Sequence, residues 1–303
     1  MAKPSSRPVP PELLAAVLAH PDDDGARHVF ADALIERGDP RGEFITVQCE
    51  IARRGGKETK ATKPLWNRFR ALHSRHSGKW AKSLRALGKR TTWQFHRGFV
   101  RRLRVNVAPP LGPLADLLTV EPVTELVAEY PPLAWLRSAL ALPGAERLRR
   151  LAILYTDTPH ATNLARLFGT VSLPHLAHLR IGLFGDKPVS TLATTARLPA
   201  LRHLAIGGGG YGVDLTATGV AALASSALAA QLTVLELGRT TMTPALVAIV
   251  TGMKQLEKFS ASYGEFDKVT RAALEARFGK SGFIVESEAS FDYLLDGVRK
   301  LSC

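Results

Sequence analysis

Acidic residues are almost missing from residues 53–104, where Glu58 stands alone against 17 Lys and Arg, a net of +16. Residues 1–52 hold 5 basic and 9 acidic residues and residues 105–303 hold 18 and 17, so the formal charge of +13 belongs to this one stretch. A solvated face usually mixes its signs, so cations without acids among them point to an anionic partner or to acids supplied by the N-terminal segment. Cysteine is equally scarce, at Cys49 and Cys303. That excludes a disulfide framework and a Cys-rich metal centre, and it fits a reducing cytoplasm. No apolar run approaches the ~18–20 residues of a membrane span. Residues 1–11 are rich in proline and lack the apolar stretch of an export signal. Neither a Gly-x-Ser-x-Gly elbow nor a Ser or Cys nucleophile with an orienting His and acid occurs. A cytoplasmic, non-enzymatic protein without a cofactor and without membrane contact is the expectation.

What is abundant is a repeated frame, apolar-x-x-apolar-x-apolar. It occurs at Val100/Leu103/Val105, Val123/Leu126/Ala128, Leu148/Leu151/Ile153, Leu176/Leu179/Ile181, Leu201/Leu204/Ile206 and Leu232/Leu235/Leu237, with a degenerate copy at Leu256/Phe259. Successive starts lie 23, 25, 28, 25, 31 and 24 residues apart, close to the roughly 20–29 of leucine-rich repeats. The last two apolar positions of a frame are two apart and share one face of a strand. Helical stripes follow the strands. Thr243 and Pro244 open one that carries Leu246, Ile249 and Val250. Asp267 caps another that Gly279 stops. The stretches 192–198 and 220–228 read the same way. Strand, helix, strand at this period predicts an α/β fold, a leucine-rich-repeat solenoid with a concave parallel sheet and convex helices. The Asn usual after such strands is missing; Thr156 and Thr240 are the best substitutes. Phe283 and Val285 fall where an eighth frame would, and residues 289–303 are expected to cap the open end.

Residues 11–52 read as three short helices. The first ends at His20-Pro21, the second starts behind Asp22, Asp23 and Asp24 and stops at Gly38, and Asp39-Pro40 opens the third. The strings LAAVLAHPDDD (14–24) and FADALIERGDPRGEFI (30–45) resemble the repeat-companion domain, a bacterial module often found ahead of leucine-rich repeats. The resemblance covers residues 12–52 and continues through 73–84 to the string WQFHRGFV (93–100). Ala33 departs from it, standing where the family commonly carries Trp. The resemblance implies architecture and bacterial origin, and no agreed activity. The expected organisation is a flexible N-terminus (1–10), a helical module (11–52), a basic helical segment (53–92), the repeat array (93–288) and a C-terminal cap (289–303).

Several constellations invite a chemical reading. Gly279-Lys280-Ser281 imitates a phosphate-loop tail, but Leu274 replaces the required glycine and the string follows a helix where it should open one. The glycine run 207–210 reads as a loop between repeats. His73 and His76, three apart, want a third ligand to hold a metal. Side chains alternating with the buried frame positions should be exposed on the concave sheet, where Arg102, Arg104, Glu125, Glu129, Arg150, His178, Arg180 and His203 form rows of mixed sign suited to a protein partner. The alternative is a polyanion, DNA or RNA, held by the basic segment. Its candidates are Arg53, Arg54, Lys57, Lys60 and Lys63, around a loop marked by Gly55-Gly56. Interleaved Trp66, Phe69, Trp80, Trp93 and Phe95 offer bases a stacking surface, unless they form the apolar face of helices. Pairing of the cations with Asp22, Asp23, Asp24, Asp32 and Glu36 would weigh against the polyanion reading.

Overall fold

A computed structural model describes residues 8–154, 161–183, 185–207, 215–238, 240–262 and 267–286. The chain divides into two compact units, residues 1–105 with 109–124, and residues 106–108 with 125–303. It is a mixed α/β protein whose sheet is open and mostly parallel. No helix of the described residues is long and apolar enough to cross a membrane.

The first unit opens with α1 (Pro11–Ala19), α2 (Asp24–Ile35) and α3 (Pro40–Arg53). Asp23 caps α2 through Gly25 N, and Asp39 caps α3 through Arg41 N with Pro40 behind it. Both caps satisfy backbone donors that a helix start leaves open. α4 (Lys63–Trp80) and α5 (Lys82–Arg85) follow, then the hairpin β1 (Thr92–His96) and β2 (Phe99–Asn106), and α6 (Leu111–Val120). Two apolar clusters hold the unit together. One joins Val17, Phe30, Ala31, Leu34, Ile45, Cys49 and Phe99. The other joins Phe44, Val47 and Ile51 of α3 to Trp66, Phe69 and Leu72 of α4. α3 thus faces two ways, with Ile45 and Cys49 on one cluster and Phe44, Val47 and Ile51 on the other.

In the second unit strands and helices alternate: β3 (Glu125–Glu129), α7 (Leu133–Leu140), β4 (Arg150–Leu154), α8 (Ala161–Leu167), β5 (His178–Ile181), α9 (Asp186–Thr195), β6 (His203–Ile206), α10 (Ala217–Ala224), β7 (Val234–Gly238), α11 (Pro244–Gly252), β8 (Lys258–Ser262), α12 (Lys268–Gly282) and β9 (Phe283–Glu286). Strands β3 to β9 lie in sequence order, each parallel to the next. Frame positions pair with frame positions. Leu126, Leu151, Leu179, Leu204, Leu235, Phe259 and Phe283 form one line across the sheet, and Ala128, Ile153, Ile181, Ile206, Leu237 and Ala261 form a second. Leu126 through Phe283 in the first line are all buried, as are the residues of the second. Neighbouring helices α8 to α12 pack in succession. Thr243 accepts from Leu246 N and Asp267 from Thr270 N, the caps expected from sequence.

Two helix boundaries differ from the sequence reading. α9 starts at Asp186 and stops at Thr195, with Ala196 extended, and α10 stops at Ala224. Leu198 and Leu228 are buried from the loops beyond, so they completed an apparent helical stripe without being helical. Gly279 does break α12, at φ 70° and ψ 168°. Thr240 is buried and its hydroxyl donates to the Gly238 carbonyl. Thr156, residues 208–214 of the glycine-run loop and the cap 289–303 lie outside the described residues.

Candidate functional site

Alternation along β3 to β8 puts a second set of side chains on the other sheet face, in two register lines. One runs Glu125, Arg150, His178, His203, Val234 and Lys258; the other runs Val127, Ala152, Arg180, Ala205, Glu236 and Ser260. These side chains largely satisfy one another. Arg150 Nε is 4.0 Å from Glu125 Oε1. His178 Nδ1 and His203 Nδ1 are 3.2 Å apart, and His203 Nε2 is 2.5 Å from Glu236 Oε1. A carboxylate only accepts, so His203 Nε2 carries a proton, and one proton on His178 Nδ1 then completes the chain. Beside it Val127, Ala152 and Leu154 form a buried apolar cluster. Asn106 donates to Glu129 at 3.1 Å.

This corrects the expected exposure. Glu125 is 6% exposed and Arg102, in the first unit, 9%, so neither offers a partner an open charge. Arg104, Glu129, Arg150, His178, Arg180 and His203 are half-buried. Glu236, which alternates with buried Leu235 and Leu237 and so falls on the same face, is the acceptor that orients His203.

Burial, then the charge of Arg150, pushes His178 down to about 4, against the weaker opposing pull of Glu125 and Glu236. The unfolded imidazole titrates near 6.5, so between those values the unfolded chain binds more protons and stability falls as pH falls. A half-exposed site leaves about 1–2 kcal/mol of that shift as stability after allowance for solvent screening. We expect the melting temperature to drop more steeply from pH 7 to pH 4.5 in the native protein than in His178→Asn, compared as slopes. Parallel profiles would show that this imidazole titrates as it does in the unfolded chain.

The basic segment is built differently. Trp66, Phe69 and Leu72 put one face of α4 into the core, and its cations are exposed on either side of that face. Some are neutralised. Arg53 and Arg54 both bind Glu50, at 2.6 and 2.5 Å, and hold its carboxyl down at about 2. Arg68 pairs with Glu43 and Arg70 with Glu58, the latter at 2.9 Å. Arg97 reaches Asp24 at 3.1 Å and the Asp22 carbonyl at 3.2 Å. Arg53 and Arg54 therefore leave the set of open polyanion ligands, and their signal was in the sequence as spacings of three and four from Glu50. Lys57, Lys60 and Lys63 are exposed, with Lys63 within electrostatic reach of Glu58.

The larger group of open charge was missed. Arg75, Lys79, Lys82, Arg85, Lys89 and Arg90 are all exposed, and none makes an ion pair or side-chain hydrogen bond among the described residues. The readable sign was the gap between acids, since none occurs from Glu58 to Asp116. Arg75 and Lys79 are one turn apart on α4, and Lys82 and Arg85 sit on α5.

His73 stacks on Phe69 at 5.7 Å and burial pushes it down; His76 lies 5.6 Å from Trp80. Among the described residues no group of three or more His, Cys, Asp or Glu is arranged to hold a metal. Burial, then the charge of Asp24, pushes the Cys49 thiol up to about 12, which keeps it protonated and unreactive. Lys280 and Ser281 finish α12 ahead of β9, the reverse of a strand–loop–helix phosphate cradle. Compared with models of known protein families the chain matches none, and no curated protein matches it in sequence.

Proposed function

We propose that this is a non-enzymatic nucleic-acid-binding protein of the cytoplasm, which grips phosphate backbone with the basic surface of its first unit. The observation that carries the reading is the run of six open cations, Arg75, Lys79, Lys82, Arg85, Lys89 and Arg90, in a stretch without an acid. Unpaired surface cations raise the free energy of the folded protein by mutual repulsion, and a polyanion relieves it while releasing condensed counterions. We read the first unit as a repeat-companion module on the strength of its motif strings. We read the second as a leucine-rich-repeat solenoid, supported by frame positions that pair with one another strand after strand. A protein partner on the sheet face is the second reading. It is favoured by the half-buried Arg150, His178 and Arg180, and weakened because Glu125 and Glu236 are buried against neighbours of this same face.

The test is a salt titration with a labelled 20-base-pair DNA duplex. Engaging about five phosphates gives a log–log slope near −4.5. Replacing Arg75, Lys79, Lys82 and Arg85 together by Gln should flatten that slope to between about −1 and −2 and should not lower the melting temperature, since these cations have no ion pair to lose and their removal relieves repulsion. No binding at low salt by the native protein would remove the reading and leave the sheet face as the docking surface.

A further inference from the structure

We infer that the basic surface takes double-stranded rather than single-stranded nucleic acid, an inference that rests on the nucleic-acid reading above. Proteins that favour single strands combine a cationic track with aromatic faces on which unpaired bases stack, and that stacking offsets the weaker charge density of the strand. Trp66, Phe69, Trp80 and Phe95 of the basic segment are spent on one another and on Phe44. Phe44 of α3 lies 4.6 Å from Trp80, 5.7 Å from Phe69 and 5.6 Å from Phe95, the last edge-on, and Trp66 meets Phe69 edge-on at 5.6 Å. Phe44, Trp66 and Phe69 are buried, and Trp80, Trp93 and Phe95 are half-buried. Among the described residues of the first unit no Phe or Trp is in the open, and the unit contains no Tyr. A base meets no fully exposed Phe or Trp ring in this unit, only the partly covered edges of Trp80, Trp93 and Phe95.

Four of the six cations stand on helices, Arg75 and Lys79 on α4 and Lys82 and Arg85 on α5, and Lys89 and Arg90 follow in a turn. Arg75 and Lys79 share a flank of α4, and the Arg85 guanidinium lies 3.3 Å from where a side chain on Gly78 would begin, which sets α5 against the end of α4. With stacking absent, charge density decides. A duplex carries one phosphate per ~1.7 Å and releases about 0.9 counterion per phosphate neutralised, against about 0.7 for a single strand. For five contacts of equal intrinsic strength the difference amounts to about tenfold in affinity per decade of salt. Recognition-helix and zinc-finger patterns are missing from the sequence, so the preference is for the duplex form and not for a base sequence.

The experiment compares a labelled 20-base-pair duplex with a 20-nucleotide oligothymidylate, which forms no structure of its own, between 20 and 200 mM salt. The expected result is a duplex bound several-fold to about tenfold more tightly at the low end, with slopes in the ratio of about 0.9 to 0.7. The oligothymidylate should leave tryptophan fluorescence unquenched. Equal or tighter binding of the single strand, or quenching that tracks its binding, overturns the duplex inference while leaving nucleic-acid binding standing. Failure of both probes at 20 mM salt overturns the underlying reading instead. Lys79→Gln with Lys82→Gln and Arg85→Gln ties the result to this surface: duplex affinity should fall at least tenfold, and an unchanged affinity places the duplex elsewhere.

Discussion

Replacing Gly98 by alanine is expected to cost about 3 kcal/mol or more, a large share of the ~5–15 kcal/mol that typically separates a folded domain from its unfolded chain. Arg97 and Gly98 form the two-residue loop between β1 and β2, and both have positive φ, 52° and 83°. That is the geometry of a type I′ hairpin, and an L side chain at the second position carries a penalty of about 1 kcal/mol. Space adds the larger part. A Cβ on Gly98 would stand 2.1 Å from Ile45 Cγ1 and 2.7 Å from Ile45 Cα. The second contact is with the backbone of α3, which rotating a side chain does not relieve. Ile45 is itself buried between α2 and the hairpin in the cluster containing Phe30 and Phe99. Gly98 also donates its N–H to Gln48 at 2.5 Å. Gly55→Ala is the control, since Gly55 has φ 85° with nothing within 4 Å of the added carbon; it should lose only the backbone penalty of about 1 kcal/mol. Denaturant titration of both variants checks the comparison, and equal losses would mean the hairpin tip is not pressed on α3.

The second large effect is expected at Glu121, 3% exposed at the end of α6. Its carboxylate accepts from Arg41 at 2.6 Å and from the Val100 backbone N–H at 2.8 Å. Arg41 in turn places its guanidinium 5.0 Å over the ring of Phe99. Glu121→Ala would strand a partly buried cation and an internal N–H together, a loss of about 3–5 kcal/mol. Glu121→Gln keeps an acceptor of nearly the same shape and should lose about half as much. Adding Arg41→Met to Glu121→Ala should restore part of the stability, because the charge is then removed with its partner. A double variant no more stable than Glu121→Ala would assign the whole effect to the Val100 N–H. Both experiments bear on function, since Gly98 and Glu121 stabilise the same unit that carries the open cations. A binding defect in either variant reports on folding, whereas a defect in Lys79, Lys82 and Arg85 variants that melt normally reports on the surface itself.

The strands were legible in the chain because their signal is local. Two apolar residues two apart, as in Leu151 and Ile153 or Leu204 and Ile206, share a face of any extended segment, and seven such frames at one spacing leave little choice of connection. Caps were legible for the same reason: Asp39 before Pro40, Thr243 before Pro244 and Asp267 each act within three residues of themselves. Burial of a charge is not local. Whether Arg102 or Glu125 meets water depends on what packs over an alternating position, and the alternation alone assigns it to the open face. Pairing divides in the same way. Glu50 with Arg53 and Arg54 is written in helical spacing, but Arg68 with Glu43 and Arg41 with Glu121 join residues far apart in sequence. The net charge of residues 53–104 was therefore determined by sequence. Which of the other cations remain open was decided only when the tertiary structure brought a distant acid beside some of them, as Glu43 beside Arg68, and none beside Arg75 through Arg90.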